Sequence, residues 1–120
     1  MSLSLKPVHW LGSSRSDVRD FSALARGKLG HELYQIQQGL TPSDWKPMAS
    51  VGVGVLELRI HAGKEFRILY LARFEEAVYV LHAFEKRTRR TRVIDIALAR
   101  KRLRDLIRWR SKGKDRWQRK

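Results

Sequence analysis

The sequence predicts a small α+β domain in which helices pack on a mostly antiparallel sheet. A helical pattern comes first, three segments of alternating apolar and polar residues follow it, and a second helical pattern comes last. Consecutive alternating segments joined by short turns indicate an antiparallel meander. Strands in one run, with helices before and after them, are typical of an α+β domain, and we expect the helices on one face of the sheet.

The first elements are a short strand at residues 8–11 and a helical segment at residues 17–38. Ser16 or Asp17 is the predicted N-cap, and Gly39 is well placed to end the helix. Gly27 and Gly30 each cost about 1 kcal/mol relative to alanine inside a helix, so they are candidates for a break between two helices of a hairpin. An apolar stripe at helical spacing supports the assignment: Ala25, Leu29, Leu33, Ile36 and Leu40.

Residues 41–54 are predicted to form a loop, because they contain two prolines and two glycines. A connection of this length favours a functional loop, and Trp45 and Lys46 are its only large side chains of interest. Strands are predicted at 55–60, 66–74 and 77–84, with a turn at 61–64. In the first strand, Glu57 and Arg59 share the face opposite the apolar one, and Arg67 takes the corresponding place in the second.

The last helix is predicted at residues 92–108. Its apolar seam consists of Ile96, Ala99, Leu103 and Leu106. Residues 110–120 are basic and polar, and we expect them to be frayed or disordered unless a partner binds them. The expected organisation is one domain over residues 1–120, with a core at about 8–108 and a basic tail at 109–120.

The chain carries 26 lysines and arginines against 12 acidic residues, which gives a net charge of +14. This excess indicates a polyanionic partner, namely RNA, DNA, an anionic membrane or an acidic protein, although a merely basic surface is the simpler alternative. There is no cysteine, which excludes disulfides and thiolate chemistry. No segment is apolar enough to span a membrane or to serve as a signal core, so we expect a cytoplasmic protein.

Four segments together resemble the RelE toxin superfamily and, within it, the HigB-like, phage-derived branch. They are LYQIQQGLTPSDWKPM at 33–48, LELRIHAGKEFRILYLARF at 56–74, VLHAFEKRTRRT at 80–91 and ALARKR at 97–102. The resemblance covers roughly residues 8–108 and depends on the order and spacing of all four. It implies a RelE-like fold, with an N-terminal helical hairpin on a twisted, mostly antiparallel sheet, a C-terminal helix and a concave basic face.

The resemblance also implies a function, that of the toxin in a type II toxin–antitoxin system. Such toxins are endoribonucleases that cut messenger RNA in the ribosome and so inhibit translation. The ribose 2′-hydroxyl attacks the adjacent phosphate without a metal or another cofactor. The implied partners are mRNA, the ribosome and a cognate helix-turn-helix antitoxin of the HigA kind, with a hetero-oligomer as the expected complex.

The resemblance points to particular residues. Arg67, in FRILY, matches the family arginine that stabilises charge on the scissile phosphate, a role that suits a planar and permanently charged guanidinium. The alternative is a solvated arginine on an exposed sheet face. Lys86 and Arg87 match a basic pair after the last strand, and either would bind phosphate or lend a proton. The alternative is that they form, with Arg89, Arg90 and Arg92, a basic run for general backbone binding. Lys46 is a further candidate for phosphate binding.

Two more assignments have structural alternatives. Glu57 is either the general base or one half of an ion pair that positions Arg67, and Arg59 would hold substrate phosphate. His82 is either a proton carrier or a packed strand residue. Trp45, Phe84 and Trp109 are candidates for stacking on a base, although core packing suits each of them better.

The sequence departs from the family at two places. Val93 stands near the position of a tyrosine in the C-terminal helix of RelE, and Val55 and Glu57 stand where RelE has a lysine pair. The identity of base and acid is therefore open. His9, His31 and His61 lie in unrelated segments without metal-ligand spacing, so no metal is expected.

Two rival functions fit the same sequence. A relative of the ParE type would poison DNA gyrase with the same fold, and Arg67 would then have no chemical role. A basic module that only binds nucleic acid would show a steep salt dependence and no cleavage. The joint presence of Glu57, Arg59, Arg67 and Lys86 favours the enzyme.

Overall fold

The computed structural model describes the backbone of residues 5–118 and the side chains of residues 5–113. Within that range no helix is both long and apolar enough to cross a membrane. Eight elements follow one another along the chain: β1 (Val8–Trp10), α1 (Ser14–Arg19), α2 (Ala23–Gln37), β2 (Trp45–Pro47), β3 (Leu56–Ala62), β4 (Lys64–Leu71), β5 (Val78–Lys86) and α3 (Val93–Gln118).

The strands form one five-stranded sheet in the order β1-β5-β4-β3-β2. The predicted antiparallel meander is confirmed in β3, β4 and β5, and β2 adds to it in antiparallel orientation. Only β1 runs parallel to its neighbour, β5. The β3–β4 hairpin turns at Gly63, where a φ of 77° suits a residue without a side chain. These connections place the ends of β3, β4 and β5 side by side.

The predicted helical stripe packs on one face of the sheet. Its first four residues are buried against that face, whereas Leu40 lies beyond the helix and is 53% exposed. The opposing strand residues include Leu58, Ile60 and Ile68. Burial of each leucine or isoleucine contributes about 1.5–3 kcal/mol, so this layer supplies a large share of the stability.

The second face of the sheet is covered by α3. Ala99 and Leu106 of this helix pack with Leu69, Leu71 and Leu81 of the strands. The expectation that the helices share one face is therefore wrong. Because β4 and β5 carry apolar side chains on both faces, each face needs its own cover, and α3 covers the part above β5.

The helix boundaries also differ from the prediction. The break between α1 and α2 falls at residues 20–22 and not at Gly27 or Gly30, which lie inside α2 with open space around them. Ser22 starts α2, since its hydroxyl accepts a hydrogen bond from the amide of Ala25 at 3.2 Å. Ser13, rather than Ser16 or Asp17, is the N-cap of α1.

Two segments are more regular than predicted. The supposed loop at 41–54 contains β2, which pairs with β3 at the edge of the sheet. The C-terminal helix does not end at residue 108 but continues to Gln118, so most of the predicted frayed tail is helical, and residues 119–120 lie outside the described chain. Arg110 fastens this extension, because it contacts Glu76 at 2.7 Å and stacks 3.5 Å from the ring centre of Phe74.

One irregularity in β5 sets which side chains face α3. The register passes from Leu69 opposite His82 to Tyr70 opposite Val80, which leaves Leu81 as an extra residue, a β-bulge. Leu81 packs under α3, and His82 reaches Asp95 of the same helix. The bulge therefore lets two successive residues face α3, and alternation resumes after them.

Candidate active site

A cluster of charged side chains lies on the face that α3 covers only in part. Arg59 of β3 and Arg67 of β4 are directly opposite each other, and Glu57 lies two residues before Arg59 on the same face. Oxygen Oε1 of Glu57 is 3.1 Å from Arg59 Nε, 3.9 Å from Arg67 Nε and 3.9 Å from Lys46 Nζ. Three of the predicted site residues therefore surround one carboxylate oxygen of a fourth, Glu57.

Burial is unequal within this cluster. Glu57 is fully buried, the Arg67 side chain is 8% exposed, and the Arg59 and Lys46 side chains are 29% and 47% exposed. Because Arg67 is almost fully buried, it is not the solvated arginine of the predicted alternative. Three cations surround one anion, so the cluster keeps a positive excess in surroundings that screen charge poorly. Oε2 of Glu57 and Nε of Arg67 are both buried without a hydrogen-bond partner.

His61, Glu65 and Asp44 form a second charged group near the β3–β4 turn, and sequence reasoning missed it. His61 lies opposite Glu65 in the β3–β4 pairing. Its Nδ1 contacts Glu65 at 2.8 Å and its Nε2 contacts Asp44 at 2.6 Å. Oε1 of Glu65 also accepts a hydrogen bond from Arg67 Nη1 at 3.1 Å. The signal in the sequence was a histidine and a glutamate on either side of the Gly63 hairpin turn.

The two carboxylates favour the charged form of this histidine. The hydrogen bond to Asp44, followed by the one to Glu65, raises the pKa of His61 above its usual value. In return, the hydrogen bond from His61 holds the pKa of Glu65 below its usual value. The His61 side chain is 54% exposed, so its ring is accessible from solvent.

The predicted basic run forms a rim beside the cluster. Lys86 lies opposite Glu65 at the end of β5, and Arg87, Arg89 and Arg90 are exposed in the segment before α3. Of these, Arg87 bonds Glu85 at 2.7 Å. A hollow of about 430 Å³ opens here, lined by Phe84, Glu85, Lys86, Arg87, Thr88, Arg90, Thr91, Arg92 and Asp95.

His82, the other predicted proton carrier, occupies a different environment. Its side chain is 6% exposed, with Nε2 bonded to Asp95 Oδ1 at 2.7 Å and Nδ1 at 3.3 Å from an Arg102 nitrogen. An arginine donates only, so Nδ1 accepts and the proton sits on Nε2, facing Asp95. Arg102 also bonds the Leu81 carbonyl and the Ser13 hydroxyl. This network joins β5, α3 and the start of α1, which favours the structural alternative for His82.

The candidate stacking residues are scattered. Phe84 lies directly opposite Arg67, is 9% exposed and has the His82 ring stacked against it at 5.1 Å. Trp45 is 39% exposed on β2, and Trp109 is 60% exposed on α3. Val93, at the position of the family tyrosine, is 84% exposed at the start of α3. Phe84 is therefore the aromatic side chain next to the charged cluster.

Histidines and carboxylates do not assemble into a metal site in the described part of the chain: no group of three or more is arranged to hold an ion. The His61 nitrogens illustrate this, since each already faces a carboxylate oxygen. The positive charge of the cluster is supplied by side chains at fixed positions.

Comparison with known proteins identifies a family that matches most of this chain. Residues 16–104 match the family model described as Phage derived protein Gp49-like (DUF891). A search of curated proteins returned no match. The matched segment includes the whole charged cluster, the β3–β4–β5 meander and the first half of α3. Since the match covers more than half of the chain, this protein belongs to the Gp49-like phage-derived family, a family of RelE-like toxins from toxin–antitoxin systems.

Proposed function

We propose that this protein is a HigB-type toxin that cleaves messenger RNA on the ribosome without a metal. The observation that carries the proposal is the position of Arg67. Its guanidinium is held between Glu57 and Glu65, next to the more exposed cations Arg59 and Lys46. A fixed cation of this kind stabilises charge that develops during a reaction, because it need not reorganise when that charge appears.

The reaction divides into three tasks. The 2′-hydroxyl loses a proton and attacks the neighbouring phosphorus, the crowded phosphate gains negative charge, and the 5′ oxygen leaves with a proton. Arg67, Arg59 and Lys46 suit the second task, since they present three cations from three strands. Lys86, at the rim, is the further candidate for contact with the phosphate.

Glu57 keeps two possible roles in this scheme. As a general base it would have to reach the 2′-hydroxyl, but it is fully buried. Its three cationic neighbours and its complete burial favour the other role, which is to hold Arg59 and Arg67 in place. His82 is likewise favoured as a positioning residue, because both of its ring nitrogens are engaged away from the cluster.

The basic surface supports binding of RNA. Arg87, Arg89 and Arg90 are exposed beside the cluster, and cations of this kind bind the phosphate backbone by counterion release with little sequence preference. The hollow beside Phe84 would accept a base, which suits a preference for particular nucleotides. The ribosome would supply the alignment of the RNA strand that a chain of 120 residues does not provide.

The family implies a cognate antitoxin, and the charge suggests its chemistry. A surface with a net charge of +14 attracts an acidic partner and speeds the encounter between the two. We expect a helix-turn-helix antitoxin that forms a hetero-oligomer with this chain and covers part of the basic face.

Induced expression, with and without the adjacent reading frame, tests the proposal. We expect growth arrest when the adjacent reading frame is absent, and transcript 5′ ends at fixed positions within translated codons. Cuts in RNA that is not translated would remove the ribosome from the scheme. An SOS response with gyrase–DNA adducts would instead identify a gyrase poison, and salt-sensitive RNA binding with normal growth would identify a binding module.

A further inference from the structure

We propose that His61 is the general acid of this site, held by Glu65 and Asp44 so that it protonates the leaving 5′ oxygen of the RNA. The inference rests on the proposed function and adds a catalytic residue to it. It comes from the pairing of β3 with β4, which brings His61 next to the carboxylate that also binds Arg67.

His61 lies on the sheet face that carries the charged cluster. His61, Arg59 and Glu57 alternate along β3 and so share one face of the sheet. Glu65 Oε1 lies 2.8 Å from His61 Nδ1 and 3.1 Å from Arg67 Nη1, so the imidazole and the guanidinium flank the same oxygen atom. A phosphate bound at Arg59 and Arg67 would therefore lie on the same face of the sheet as the imidazole.

His61 is also accessible to solvent. The His61 side chain is 54% exposed, whereas that of His82 is 6% exposed. His31 is exposed on α2, and His9 packs edge-on against Tyr79 of β5. Among the four histidines, all of which the structure describes, His61 alone combines exposure with a carboxylate that also contacts Arg67.

Both ring nitrogens of His61 are engaged in hydrogen bonds. Both nitrogens face carboxylate oxygens, which only accept, so both carry protons in this arrangement. Glu65 orients the ring from the Nδ1 side, as a carboxylate orients histidine in many catalytic sites. Asp44 Oδ2 lies 2.6 Å from Nε2, which shows that an oxygen acceptor fits at that nitrogen. In the reaction the leaving oxygen takes the place of the Asp44 oxygen.

The step balances as follows. The 2′ oxygen bonds to phosphorus and its proton passes to solvent. The bond between phosphorus and the 5′ oxygen breaks, and its electron pair stays on the 5′ oxygen, which takes the proton from His61 Nε2. The products are a 2′,3′-cyclic phosphate, a 5′-hydroxyl and a neutral imidazole, which regains its proton from water.

Other charged groups act on the same ring. Lys28 Nζ bonds the His61 carbonyl at 2.6 Å, and the groove beside the ring is lined by residues of α2, β3 and the segment before β2. The titratable and charged groups that face His61 or its carboxylate partners are Asp44, Glu65, Lys28, His31, Glu32, Arg59, Arg67 and Lys86.

The test uses ribosomes programmed with an mRNA that carries either the natural linkage or a single 5′-bridging sulfur at the cleaved position. A thiolate leaves without a proton, so it does not need a general acid. We expect H61Q to cut the natural linkage about 10²–10⁴-fold more slowly than the wild type. On the sulfur linkage, H61Q should approach the wild-type rate, whereas R67A should stay slow. H9Q removes the exposed histidine of β1, away from this groove, and is the matched control with an unchanged rate.

The pH dependence gives a second measurement. The wild-type rate should fall as the pH rises through the pKa of His61. D44N removes the hydrogen bond that raises this pKa most, so its alkaline limb should move to lower pH, and H61Q should lack the limb.

The outcomes separate the two proposals. Normal cleavage of the natural linkage by H61Q, or an equal loss on both linkages, would overturn the role of His61 and leave the proposed nuclease standing. A wild-type protein that cleaves neither linkage would overturn both. A purely structural clamp would instead lower the melting temperature of H61Q without any rescue by sulfur.

Discussion

Arg59 and Arg67 lie opposite each other on neighbouring strands, and both direct Nε toward the same oxygen of one buried carboxylate, at 3.1 and 3.9 Å. Like charges placed directly across a strand pair repel each other. The charge of Glu57 offsets this repulsion, and Glu65 accepts a hydrogen bond from Arg67. The sheet thereby holds two guanidinium groups side by side with more positive than negative charge around them.

Loss of the Arg67 guanidinium should remove activity while the fold persists. We expect R67A to lower the rate of mRNA cleavage by about 10²–10³, the effect of deleting one donor that stabilises a transition state. The measurement is single-turnover cleavage on programmed ribosomes, with circular dichroism to check the fold. R104A, which removes an exposed arginine of α3, is the control for the loss of one charge. A fully active or unfolded R67A protein would contradict the assignment.

Removal of Glu57 should be costly for stability. E57A leaves a buried guanidinium without one of its two carboxylate partners, and such a change costs about 3–5 kcal/mol in the free energy of unfolding. Urea denaturation at neutral pH measures this difference. E85A removes a carboxylate whose partners, Arg87 and Lys64, are 78% and 69% exposed, and should cost much less than E57A. Equal stabilities for E57A and the wild type would show that Glu57 does not hold the cluster.

His82 should matter for the attachment of α3 and not for proton transfer. H82Q disturbs the hydrogen bond to buried Asp95 and the contact with Arg102, and we expect a loss of about 1–3 kcal/mol in the free energy of unfolding. Faster amide exchange in the first turns of α3 would accompany this loss. The cleavage rate per folded molecule should stay within a few-fold of the wild type. An H82Q protein of normal stability but no activity would restore His82 as a proton carrier.

The contact between α3 and the β4–β5 turn should respond to acid. The hydrogen bond from Arg110 lowers the pKa of Glu76 from 4.5 to about 2, so the carboxylate is favoured in the folded state. Because the pKa of Glu76 is lower in the folded state, the ionised carboxylate stabilises the fold above about pH 4.5. This stabilisation is lost as the pH falls toward 2. E76Q should flatten the pH dependence of the melting temperature across that window. The change should be small, because Glu76 is 43% exposed, and an unaltered curve would contradict the pairing.

Local periodicity was sufficient to predict most of the elements. The stripe on α2, the seam of α3 and the alternation in β3 and β4 each depend on residues a few positions apart, and the structure confirms them. The same alternation placed Glu57, Arg59 and Arg67 on one face. Gathering Lys46 with them required β2, a three-residue edge strand in a segment whose prolines and glycines suggested a loop.

The features that were missed depend on register and on contacts between distant segments. The neighbours of His61 became clear only when the pairing of β3 with β4 and the position of Asp44 were known. The environment of His82 depends on a bulge that alternation does not reveal. The second helical layer follows from Leu69 and Leu71, which the sequence placed beside Arg67 without indicating that α3 would cover them.

Leu81, the extra residue of β5, shifts the alternation of side chains along this strand by one position. Before it, Val78 and Val80 face α1 and α2, and after it Phe84 and Lys86 share the side of Arg67 and Glu65. If the same residues alternated regularly, without the bulge, the end of β5 would be turned over, and the aromatic ring and the lysine would point at the N-terminal helices. The bulge therefore decides on which face of the sheet Phe84 and Lys86 lie.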